Sequence, residues 1–140
     1  MTLYELVDFI QKVAKRQPNV RSVGNGDIYD YLNTKGDIVY DVFWIAQTTH
    51  RLYDEFDHYG FVLYYVDRLN SDMEENRLQS QSIGKEVITN VVETVCEYLD
   101  IEMPEITFTP FTQEFKDECV GMYANVIFDI PVDFICPEYY

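Results

Sequence analysis

The sequence predicts an α+β domain with its elements in the order α-β-β-α-β-β: a four-stranded, mainly antiparallel sheet with both helices on one face. Three observations predict it. First, Thr107–Cys136 ends in a sustained alternation, with Val120, Met122, Ala124, Val126, Phe128, Ile130, Val132 and Phe134 at even positions. Successive side chains of a strand point to opposite faces, so these residues line one side of one long strand. Second, two segments carry apolar residues at three- and four-residue spacing, the mark of helices with one buried stripe. Third, two apolar runs of strand length lie between those segments. A chain of 140 residues, 47% hydrophobic, builds one core, so residues 1–140 are read as a single domain, with 134–140 as a loose or partner-held tail.

The first helix is expected over Thr2–Gln17, where Leu3, Leu6, Val7, Ile10, Val13 and Ala14 form the stripe. Thr2 and Glu5 have the spacing of a capping box. Lys12, Lys15 and Arg16 gather at the carboxyl end, where cations complement the helix dipole, and Pro18 stops the helix. Gly24 and Gly26 lack the preceding strand and the third glycine of a dinucleotide-binding loop. Val23-Gly24-Asn25-Gly26 therefore reads as a turn, and Asp27 as the cap of a short helical turn reaching Leu32. The first strand is expected over Ile38–Thr48. Both its faces are apolar, so one is expected under a helix and the other against a neighbouring chain. The second strand runs from His58 or Tyr59 to Leu69. Residues 49–57 between them read as a long loop carrying Leu52, Tyr53 and Phe56 among charges, a candidate contact arm. Asp72–Asp100 is the major helix, capped by Ser71 or Asp72, polar at first and then patterned by Ile83, Val87, Ile88, Val91, Val92, Val95 and Leu99. After Pro104 a third strand begins at Glu105, and the alternation from Val120 is the fourth. Gly121 marks a bulge or a close backbone approach. The odd positions Tyr123, Asn125, Asp129 and Asp133 face solvent or a partner.

Charge narrows the function. The formal net charge is −15, and residues 86–140 hold one base, Lys116, against twelve acids. Nucleic-acid binding needs cations that displace counterions from phosphates, so ordinary DNA or RNA binding is not expected. Anionic membrane surfaces are disfavoured by the same repulsion, and no apolar run reaches the ~20 residues of a membrane span. No signal-peptide pattern opens the chain. Cys96, Cys119 and Cys136 lack metal-site spacing and read as reduced thiols. His50, Asp54, Asp57 and His58 contain ligand chemistry without a fixed geometry, Ser80 and Ser82 have no histidine placed beside them, and Asp129 and Asp133 read as solvating charges. No catalytic residue, cofactor or metal is expected. Twelve tyrosines and nine phenylalanines exceed what so small a core can hide, so some lie at the surface, where such side chains anchor interfaces.

These elements carry a resemblance. The opening helix Tyr4–Lys15, the strands around Phe43 and Tyr64, Asp67-Arg68-Leu69, the long helix, and Thr109-Pro110-Phe111 with Phe115, Asp117 and Gly121 together resemble tail-terminator or tail-completion proteins of tailed bacteriophages. The likeness is nearest to the neck or ring proteins of crAss-like phages. It implies a tail-terminator-like fold and a structural virion protein, assembled in the host cytoplasm, that closes a six- or twelve-fold ring in the head-to-tail connector. The implied partners are copies of itself and neighbouring portal, adaptor or tail proteins, with DNA passing through without specific binding. Under this reading the subunit interface falls on His50, Arg51, Leu52, Tyr53, Phe56, Tyr123, Tyr139 and Tyr140. An acidic inhibitor that imitates DNA, or another protein-binding inhibitor, is the alternative.

Overall fold

The computed structural model describes residues 1–34, 36–69 and 73–139, the side chains of residues 73–75 excepted. The chain is α+β: α1 (Leu3–Lys15), β1 (Ser22–Asn25), α2 (Ile28–Leu32), β2 (Val42–Tyr53), β3 (Phe56–Arg68), α3 (Met73–Leu99), β4 (Thr107–Glu114) and β5 (Glu118–Pro131). One mixed sheet has the order β1-β2-β3-β5-β4. β1 runs parallel to β2, and the other neighbours pair antiparallel.

α1 starts where the sequence places it. Thr2 Oγ1 accepts from Glu5 N at 3.1 Å, and Thr2 N donates to Glu5 Oε1 at 3.0 Å. Two of the helix's four orphan donors are satisfied in this way. Leu6, Ile10 and Val13 meet Ile88, Val91, Val92 and Val95 of α3 over Phe43, Leu63, Tyr65, Ala124, Val126 and Phe128 of the sheet. α1 and α3 thus share one face, and each fully buried aliphatic side chain there contributes about 1.5–3 kcal/mol.

Four expectations need correction. Residues 22–25 form a fifth strand rather than a turn; four residues with a glycine are too few to show alternation, and the parallel pairing joins segments about twenty residues apart. Gly24 is required because the Trp44 ring lies against its Cα, while Gly26 takes the turn with φ +114°. Second, a third helix, α2, covers the other sheet face, packing Ile28 and Leu32 on Val42, Trp44, Val66 and Cys119. The second apolar side of β2 is therefore covered at this end by its own chain. Third, residues 49–57 are not a long loop: β2 and β3 continue to Tyr53 and Phe56 and turn through Asp54 and Glu55, at φ 53° and 65°. Fourth, the last strand stops at Pro131, leaving Val132 exposed.

β3 and β5 stay in register from Phe56↔Pro131 to Arg68↔Cys119, so Gly121 marks close approach and no bulge. The irregularity lies in β2, between Gln47 and Thr49. Pro110 sits within β4, the edge strand, where a missing N–H is tolerated. α3 ends where Asp100 turns left-handed and Ile101 N donates to Cys96 O at 3.0 Å. The anticipated caps Ser71 and Asp72 lie outside the described residues. Residues 135–139 have no regular structure, but Tyr139 is packed against Phe9 and Tyr98, with ring centroids at 4.8 and 5.0 Å. No described helix is long and apolar enough to cross a membrane.

Candidate assembly interface

The sheet narrows along its strands. β1 pairs only with residues 42–45 of β2, and β4 only with residues 118–125 of β5. The end holding the β2–β3 turn, here the distal end, is therefore a ribbon of β2, β3 and β5 alone. α2 lies at the other, proximal end, so one ribbon face is uncovered. That face presents Tyr53, Phe56 and Ile127, and Leu52, 66% exposed, projects from the opposite face.

Strand alternation sorts the side chains. On the uncovered face the Arg51 guanidinium lies 5.1 Å from the Tyr53 ring centre, Tyr53 stacks on His58 at 3.7 Å, and His58 Nδ1 contacts Asp129 Oδ1. His58 Nε2 is also 3.2 Å from Tyr53 O. The result is one stack across three strands. On the other face His50 stacks on Tyr59 at 4.3 Å, with its Nε2 2.7 Å from Asp57 Oδ1. His50 and His58 therefore point to opposite faces, and with Asp54 and Asp57 they do not converge on one point. A groove of about 490 Å³ lies between Arg51 and Tyr53 on one side and Glu105 and Ile127 on the other. A second groove, about 520 Å³, is bounded by Asp54, Phe56, Asp100, Glu102 and Pro131. Around both, Asp54, Glu55, Asp100, Glu102, Glu105 and Asp133 have no cation within 4 Å among the described residues.

Of the eight sequence-derived interface residues, His50, Arg51, Leu52, Tyr53 and Phe56 come together here. Tyr123 does not: it lies farther along β5, with Tyr64 at 5.7 Å and Phe111 at 6.2 Å. Tyr139 lies on the helical face, with the Arg16 guanidinium 4.5 Å from its ring centre. Tyr140 is outside the described residues. Sequence reasoning missed Ile127, whose apolar side chain stands on the polar side of the β5 alternation, and the acidic segment 100–105 that runs past it.

A polar cluster at the proximal end was also missed. Tyr65 Oη donates to Asp41 Oδ2, and Ser80 Oγ donates to Asp67 Oδ2 at 2.6 Å. Tyr65 and Ser80 are buried, Asp41 and Asp67 partly so. Burial, with the neighbouring Asp67 next, pushes the Asp41 carboxyl up to about 7, against the opposing pull of Tyr65 and Arg21. The Tyr65 phenol is raised by burial and then by Asp41. These residues are far apart in sequence and gave no motif. Burial likewise pushes the Cys96 thiol up to about 11. No protein-family model matches the chain, and no curated protein matches it.

Proposed function

We propose that this chain is a structural subunit that assembles with copies of itself into a closed ring, and that the ring belongs to the head-to-tail connector or neck of a tailed bacteriophage. The observation carrying this reading is the distal ribbon, where Leu52, Tyr53, Phe56 and Ile127 keep apolar surface in water at the narrow end of the sheet. Burying that surface between subunits recovers about 25 cal/mol for each Å² removed from water. Association through two different surfaces of one chain closes a ring when the rotation per subunit divides a full turn.

The charge supports the connector role. A channel wall of net negative charge repels phosphates and lets DNA slide, whereas clustered cations would hold it by counterion release. In this reading the chain works by assembly and catalyses no reaction. Electron images of the purified protein are the test: uniform closed rings with a central opening are expected, and a protein that stays monomeric at every concentration imaged overturns the proposal.

A further inference from the structure

We infer that the acidic, aromatic distal ribbon of one copy docks on the cation-bearing proximal end of the next. The inference rests on the ring reading and names the two surfaces that meet. Six carboxylates stand at the distal end without a cation within 4 Å among the described residues. The opposite end holds what is missing. α1 begins at the distal end, where Tyr59 Oη donates to Met1 O at 2.9 Å and the Met1 amino group donates to Phe134 O at 2.9 Å. It ends at the proximal end, where Arg21 N donates to Asp41 O at 3.0 Å. Lys15, Arg16 and Arg21 are exposed there, and among the described residues none has a carboxylate within 4 Å.

The proximal surface also offers an apolar centre. Val39 is 56% exposed and is tied beside Arg21 by Ser22 Oγ, which donates to its carbonyl at 2.6 Å. An aromatic tip with acids about it thus meets an apolar spot beside the Arg21 guanidinium, on the end that also carries Lys15 and Arg16. About ten residues of β3, some 30 Å, separate the two surfaces. The two surfaces differ and lie at opposite ends, so one copy can use both at once, and head-to-tail contact closes into a ring when the rotation per subunit divides a full turn. At physiological ionic strength the Debye length is about 8 Å, which screens the overall repulsion between copies of charge −15 and leaves contact pairs in force.

The test is particle mass by light scattering at about 0.15 M salt. The wild-type chain is expected to assemble. Glu102→Lys with Glu105→Lys, and separately Lys15→Glu with Arg21→Glu, are each expected to fall to monomer mass. Mixing the two charge-reversed proteins is expected to restore the assembly, because each then supplies the end the other needs. Should either reversed pair fail to fold, Glu102→Gln with Glu105→Gln and Lys15→Gln with Arg21→Gln replace it, with association weakened at least about tenfold. Full-mass assembly by a charge-reversed variant, or a mixture that stays monomeric, overturns this docking and leaves the ring reading standing. A wild-type monomer that gains mass only on adding oligolysine overturns both, since the acidic end would then serve a foreign cationic partner.

Discussion

Two residues show how close packing and charge are set in this chain. Gly121 is fixed by its neighbour: a methyl group on it would press into the Tyr65 carbonyl oxygen, a backbone atom that cannot swing aside. β3 and β5 share thirteen consecutive pairs, so relief at one point disturbs the register of both. Gly121→Ala is expected to cost about 3 kcal/mol or more and to lower the melting temperature by about 10 °C, measured by thermal unfolding. Asp41 acts through its proton. The folded chain keeps that proton up to about pH 7, whereas the unfolded chain releases it near 3.8. Between those values the folded state binds more protons, so this group's contribution to stability falls as pH rises and stays low above the upper value. Allowing for solvent screening of a half-exposed group, the loss is about 1–2 kcal/mol. Asn at position 41 retains an acceptor for Tyr65 and offers Asp67 a permanent donor. Asp41→Asn should therefore raise the melting temperature at pH 8 and change it little at pH 5, where other carboxylates set the profile for both proteins.

At the scale of elements, the sequence was legible where a pattern runs long and obscure where tertiary pairing decides. α1, the apolar half of α3 and β5 announce themselves through 3.6- and two-residue periods sustained over several turns or pairs. The β2–β3 hairpin does not. Its distal strands carry Thr49, His50, Arg51 and Asp57 because one ribbon face is uncovered, and composition alone makes such a stretch look like loop. Its turn is Asp54-Glu55, without the Asn-Gly or Asp-Gly pair that signals a left-handed two-residue turn. A non-glycine residue held left-handed costs roughly 1–2 kcal/mol. Glu55→Gly, at φ 65°, is therefore expected to stabilise the hairpin by about 1 kcal/mol, read as a higher midpoint in denaturant with unchanged slope. β1 was invisible for a different reason: four residues cannot establish a period, and only Trp44 over Gly24 shows why that segment must lie flat. The candidate interface divides along the same line. Its hairpin residues were found through their aromatic content, whereas Ile127 and the acids of 100–105 reach the site only once β5 is paired and α3 has turned through Asp100.

For the molecule as a whole, the placement of large apolar side chains separates those that serve folding from those left in water. Phe61 and Phe128 are buried in the main core, and Tyr139 is enclosed between Phe9 and Tyr98 of its own chain. Leu52 and Phe56 contact water at the narrow end of the sheet. A side chain already in water adds little to folding, so its replacement by serine should leave stability within about 0.5 kcal/mol. A side chain at the centre of a subunit contact carries far more, because truncation leaves its partner pocket unfilled. Leu52→Ser is therefore expected to melt like the parent chain while losing particle mass. Tyr139→Ala is expected to do the reverse, melting several degrees lower while still assembling. Light scattering and thermal unfolding on the same samples decide between the two outcomes. If the hairpin variant keeps its assembled mass, the distal ribbon is not the contact, and the exposed rings there answer to a partner other than the chain itself.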